Sequence, residues 1–236
     1  TPVPAPALDF SLPAPETGAV EDDWFSDAVF LGDSRSDGLR LYSGIRGADF
    51  LAYKSLMVFQ VTGTGGVDAK AIPKNGVGDK KTALAWLEEK QYGKVYVMFG
   101  INELGYGDDQ AFQDAFALLI DEIRVRQPEA VIYIQSLIPV EPEKAHQMNP
   151  AAWLNNENVA NYNEILRRVC ADKRAVYVDV QSVMADDSGT LPAESTTDGI
   201  HFTRSWYEKW YGYLKTHTVD PEAYRAGQGQ AEGTEA

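Results

Sequence analysis

The segment Ala28-Val29-Phe30-Leu31-Gly32-Asp33-Ser34-Arg35-Ser36-Asp37-Gly38-Leu39 passes from an unbroken apolar run, through a glycine turn, into polar residues that suit a helix start. A short apolar run bounded by turn chemistry reads as a buried strand. Four more runs have the same character, at 49–53, 94–100, 130–139 and 175–180. Amphipathic stretches separate them. One follows Asp108, a suitable N-cap, and places Phe112, Ala115, Phe116, Leu119, Ile120 and Ile123 on one face before Pro128. A second carries Val159, Tyr162, Ile165, Leu166 and Val169, and a third, over 205–216, carries Trp206, Trp210 and Leu214. Near-continuous apolar strands alternating with helices require a parallel sheet covered on both faces, so the predicted fold class is α/β, a three-layer α/β/α sandwich.

With 236 residues, 44% of them hydrophobic, the chain suits one sizeable domain. The expected division is a Pro-rich N-terminal linker over 1–23, a folded domain over 24–220 and a polar tail over 221–236. Charged residues at 24% and aromatics at 11% exclude disorder for most of the length. The 35 acidic against 21 basic residues give a net charge of −14, which repels phosphate backbones and argues against a nucleic-acid partner. Cys170 is the one cysteine, so no internal disulfide forms, and no Cys/His spacing suits a zinc site. No apolar run reaches the roughly 18 residues that a membrane span needs. The opening stretch TPVPAPALDFSLPAPETGAVEDD has the composition of a linker between an exported domain and a removed signal or surface anchor, so an extracellular or cell-surface location is expected.

In parallel α/β sheets ligands gather beyond the carboxyl ends of the strands. Ser34 stands there, at the start of a helix whose free N–H groups favour a developing oxyanion; it reads as a nucleophile or as a simple helix cap. Asn102, in Gly100-Ile101-Asn102-Glu103, follows another strand and offers a neutral amide donor to an oxyanion. A base for a serine must be neutral at working pH, which suits imidazole. Of the three histidines, His217 ends a predicted helix and His146 lies in a polar connection, whereas His201 has Asp198 three positions earlier to fix its tautomer. No G-x-S-x-G, H-E-x-x-H or complete phosphate-binding glycine motif occurs, and the glycine stretches at 63–66 and 76–82 read as loops. Arg35 and Arg204 beside these blocks read either as binders of a substrate carboxylate or as members of solvated ion pairs. Trp153, Trp206 and Trp210 read as sugar platforms or as core.

Gly32-Asp33-Ser34, Gly100-Ile101-Asn102-Glu103 and Asp198-Gly199-Ile200-His201, in this order, resemble the blocks of the SGNH, or GDSL-type, hydrolase superfamily. FLGDSRSDGL and KVYVMFGINELG look most like secreted GDSL-type proteins of Gram-positive gut bacteria. The resemblance implies a flavodoxin-like fold and ester hydrolysis through an acyl-serine, with Ser34, His201 and Asp198 as the catalytic set and neither metal nor organic cofactor. It also implies an oxyanion hole formed by the N–H groups of Ser34 and Ser55 with the Asn102 amide. The sequence departs from the family pattern at Glu103, where Asp is usual, and at Ser55, which takes the place of a glycine; Gly63 or Gly65 is the alternative donor. The acidic chain and the expected export point to neutral esters, O-acetyl groups on carbohydrates foremost. The alternatives are a lipase, lysophospholipase or thioesterase acting on longer chains, and an inactive carbohydrate-binding or surface module.

Overall fold

The computed structural model describes residues 7–229. Its strands are β1 (Ala28–Gly32), β2 (Asp49–Ala52), β3 (Ala71–Pro73), β4 (Lys80–Thr82), β5 (Lys94–Met98), β6 (Val131–Gln135) and β7 (Val176–Val178). Strands β3 and β4 pair as a separate antiparallel hairpin. The other five form one parallel sheet in the order β2-β1-β5-β6-β7. They are the five apolar runs of the sequence, and almost every side chain on them is buried. Register produces an aromatic ladder across the sheet. Phe50, Phe30, Tyr96 and Tyr133 lie side by side on successive strands, with ring centroids 4.8, 4.7 and 4.4 Å apart, close to the spacing between neighbouring strands.

The helices are α1 (Ser34–Tyr42), α2 (Val58–Thr62), α3 (Ala83–Leu87), α4 (Asp109–Arg126), α5 (Pro142–Met148), α6 (Asn156–Lys173), α7 (Gln181–Met184), α8 (Arg204–Thr216) and α9 (Pro221–Gly229). Helix α4 packs on α2, α3 and α6, whereas α8 packs on α1 and α7, giving the two outer layers of the sandwich. Asp108 caps α4 as its position predicts, accepting the Ala111 N–H at 2.9 Å. No helix of the described residues is long and apolar enough to cross a membrane.

Both expected tails need correction. Residues 7–21 lack regular helix, turn at 10–12, and are docked on the fold. The Ala14 N–H donates to the Tyr177 carbonyl at 2.7 Å, Pro13 bridges the open edge of β7, and Val20 and Thr17 bond to carbonyls at the end of α8. Proline fixes an extended backbone that can lie along a sheet edge without supplying donors, so its abundance does not distinguish a free linker from an edge strap. Within the expected polar tail, α9 buries Tyr224 and Gly227, and Phe10 of the strap packs edge-on against Tyr224. The described fold therefore extends past 24–220 at both ends; residues 1–6 and 230–236 of the expected linker and tail lie outside the described residues.

Candidate active site

The turn after β1 is tight because Gly32 has no side chain: a Cβ there would lie 2.0 Å from Ser36 Oγ and 2.8 Å from the Met98 carbonyl. Asp33 is the N-cap of α1, accepting the Arg35 N–H at 2.8 Å. Asp33 thus takes the capping role that the sequence left open for Ser34, and the Ser34 hydroxyl is free. It lies 2.8 Å from His201 Nε2. His201 Nδ1 lies 2.7 Å from Asp198 Oδ2, while Asp198 Oδ1 accepts the backbone N–H groups of Ile200 and His201, each at 2.8 Å. Burial raises the affinity of the Asp198 carboxyl for a proton, but the hydrogen bonds from His201 and Ile200 outweigh it and hold the carboxyl below the usual range. An ionised Asp198 accepts Nδ1–H and leaves Nε2 able to take the serine proton.

Two elements hold the histidine loop. Gly199, at φ +82°, packs so closely on α5 that a Cβ would stand 2.2 Å from the Ala145 nitrogen, and its carbonyl accepts the Glu141 N–H at 2.9 Å. From the other side Arg35 donates to the Ile200 carbonyl at 3.0 Å and to the Ile138 carbonyl at 2.5 Å. Arg35 is fully buried and stacks over Phe202 at 5.2 Å. Neither sequence reading of Arg35 holds: its side chain is fully buried, so it forms no solvated ion pair and faces no solvent-borne carboxylate, and its guanidinium serves loop carbonyls beside the buried Asp33.

The strand after α1 ends in the turn that carries Ser55. This residue has φ +56°, a left-handed backbone that costs a non-glycine residue on the order of 1–3 kcal/mol. Ser55, Asn102, Ser34 and His201 line one cavity of about 360 Å³. Gly63 and Gly65 do not line it; they form the turn that closes α2. The Asn102 amide donates to the Leu56 carbonyl at 3.2 Å and keeps a second N–H. Glu103, which the sequence marked only as a departure from the family pattern, is fully buried, and its Oε1 accepts the Val58 N–H at 2.5 Å. Burial, reinforced by the nearby Asp33, pushes its carboxyl up to about 8.

The tryptophans divide. Trp210 is core and donates to Gln135 at 2.9 Å, Trp206 packs partly buried beneath Lys209, and Trp153 lines the cavity. Arg204 lies over the Tyr42 ring at 5.7 Å in a second groove of about 480 Å³, which shares Ser34 and His201 and is floored by Leu41 and Tyr42. His217 stacks on Tyr213 and its Nδ1 lies 2.9 Å from the Tyr213 carbonyl, the helix-end role expected of it. His146 lines a separate groove beside Pro142. Among the described residues no three His, Cys, Asp or Glu side chains gather as a metal site.

A serine, a histidine and an aspartate joined in line at the carboxyl edge of the parallel sheet form a serine-hydrolase arrangement on a three-layer α/β/α sandwich. The model of the GDSL-like lipase/acylhydrolase family matches residues 30–209; the chain belongs to that family and is a carboxylic ester hydrolase, as the sequence blocks led one to expect. Solved structures share the fold. One, from Streptococcus pneumonia and described in connection with platelet activating factor, is 20% identical with a TM-score of 0.62, over 80% of this chain and 82% of its own. A GDSL-like lipase from Bacteroides thetaiotaomicron is 12% identical with a TM-score of 0.55, over 89% and 90%. An acetyl esterase variant solved with acetate is 10% identical with a TM-score of 0.53, over 80% and 94%. No curated protein matches the chain.

Proposed function

We propose that the protein hydrolyses small acyl esters, acetyl groups on carbohydrates foremost, through an acyl-serine intermediate. The observation that carries this reading is the 2.8 Å contact between Ser34 Oγ and His201 Nε2. Ser34 Oγ attacks the ester carbonyl as His201 Nε2 takes its proton. The carbonyl π electrons move onto oxygen, where the N–H groups of Ser34 and Ser55 and the Asn102 amide hold the charge. The tetrahedral carbon then expels the alcohol oxygen, which receives the proton from His201. Water repeats the sequence on the acyl-serine and releases the acid. Asp198 orients His201 and stabilises its cationic form.

The substrate class rests on the lining of the cavity. Trp153 offers a partly exposed ring among Lys54, Asn102 and Asn149, the mixture of flat apolar face and hydrogen-bonding groups that suits a sugar. The net charge of −14 disfavours anionic lipids and acyl-CoA. A longer acyl chain is the second reading, favoured by the exposed Leu41 and Tyr42 in the neighbouring groove. An extracellular or cell-surface setting belongs to the same proposal.

A fluorophosphonate probe followed by mass spectrometry tests the chemistry: labelling at Ser34 is expected, and an unlabelled Ser34 in folded protein returns the chain to the inactive-module reading. Relative rates on p-nitrophenyl acetate and octanoate separate the two acyl lengths.

A further inference from the structure

Asn102 and Glu103 are consecutive, and their side chains grip the same short turn. The Asn102 amide donates to the Leu56 carbonyl and the Glu103 carboxyl accepts the Val58 N–H. Upstream, the turn is tied where the Tyr53 N–H donates to the Gly32 carbonyl at 3.2 Å. Ser55 lies between these ties in its left-handed backbone, a conformation that a non-glycine residue keeps only where its surroundings over-determine it. Glu103 is itself anchored: its N–H donates to the Gly100 carbonyl at 3.1 Å, and its carbonyl accepts the Tyr162 hydroxyl at 3.2 Å. Fully buried, it does not touch a substrate.

We infer that Glu103 is a positioning residue: by holding the first helical N–H of α2 it keeps the 53–58 turn in place and aims the Ser55 N–H at the oxyanion. The inference rests on the proposed role of Ser55 as a donor. What the grip requires is an acceptor at the reach of a glutamate side chain. It does not require charge, because the carboxyl is largely neutral at pH 7. Glutamine supplies the same acceptor at the same reach. The aspartate that GDSL-type blocks usually carry here falls one methylene short, and leucine fills the space with no acceptor.

The test compares E103Q, E103D, E103L and V58P by steady-state kinetics on p-nitrophenyl acetate, with thermal melting as the folding control. V58P removes the donor, together with the buried valine side chain, and sets the proline Cδ against the Glu103 carboxyl. Proline is accepted at the first helical position, and Met57, with φ −117° and ψ 153°, already has the backbone that precedes proline. Misaiming one oxyanion donor costs less than deleting it, so E103D, E103L and V58P should each lose about 10- to 100-fold in kcat with KM changed by less than about threefold. E103Q should keep kcat within about threefold of wild type. Wild-type kcat in folded V58P overturns the inference, and so does an E103Q as impaired as E103L. If E103L does not fold, V58P and E103D decide. Fluorophosphonate labelling keeps the two claims apart: a wild type that resists the probe overturns the proposed function, whereas a labelled wild type with undiminished V58P overturns the role of Glu103 alone.

Discussion

His201 Nε2 lies 2.8 Å from Ser34 Oγ across 167 positions of sequence. The contact depends on two loops at the same sheet edge, one set by Gly32 and the other by Gly199. Groups that act as a unit lose their effect together. Ser34→Ala should therefore lower kcat on p-nitrophenyl acetate by about 10⁴-fold or more, and adding His201→Ala should cost no more than about a further tenfold. Additive losses in the double variant would show that the two side chains do not act on one proton.

Trp153 lies over Gly105, 3.1 Å from where a Cβ would stand, and turns part of its ring to the cavity. Stacking on a sugar is worth more to a polysaccharide ester than to an aryl acetate. Trp153→Ala should raise KM on an acetylated oligosaccharide about tenfold, the equivalent of about 1.4 kcal/mol, and raise KM on p-nitrophenyl acetate much less. Equal effects on both substrates would remove the ring from sugar recognition.

Arg35 is buried with Asp33 near its charge, and its guanidinium serves two loop carbonyls. Arg35→Met keeps much of the volume but strands those carbonyls and Asp33. Breaking such a buried set costs about 3–5 kcal/mol, measurable as a lower midpoint in urea. Because the Ile200 carbonyl adjoins His201, kcat should fall as well, even where the variant remains folded.

Glu103 yields a pH dependence with a definite sign. Its folded value of about 8 stands above an ordinary value of 4.5. Between the two the folded chain holds a proton that the unfolded chain releases, so this group lowers stability as pH rises through that window and changes nothing further above it. The slope is at most about 1.4 kcal/mol per pH unit. Glutamine cannot titrate, so the stability of Glu103→Gln relative to wild type should increase from pH 5 to pH 8. Urea titrations at both pH values check this, and a difference that stays flat across the window would refute the raised value.

The five sheet strands and the three longest helices were legible because their apolar spacing extends far enough to be unambiguous. The blocks around Ser34, Asn102 and His201 were legible because the chemistry restricts which residues can stand there. Short elements were not. Helix α3 and the β3–β4 hairpin hold each other through contacts such as the Trp86 indole N–H to the Ile72 carbonyl at 2.8 Å, which no local period records. The role of Glu103 was invisible because its partner, Val58, is 45 residues away. Arg35 misled because arginine is almost always exposed, and its burial follows from loops that meet only in the folded chain. The strap misled because proline content describes the shape of a backbone and not what lies beside it.

That strap brings the two ends of the described chain to one corner, where the Leu8 N–H donates to the Ala223 carbonyl at 3.2 Å and Gly227 meets Phe10. The corner is at the β7 margin, while Ser34 and Asn102 follow β1 and β5. A tether fastened at either end would pull on the same point and leave the cleft facing the same way. A stretching load between the ends would first test the Leu8–Ala223 bond and the Phe10–Tyr224 contact, and then the strap's bond to Tyr177 on β7.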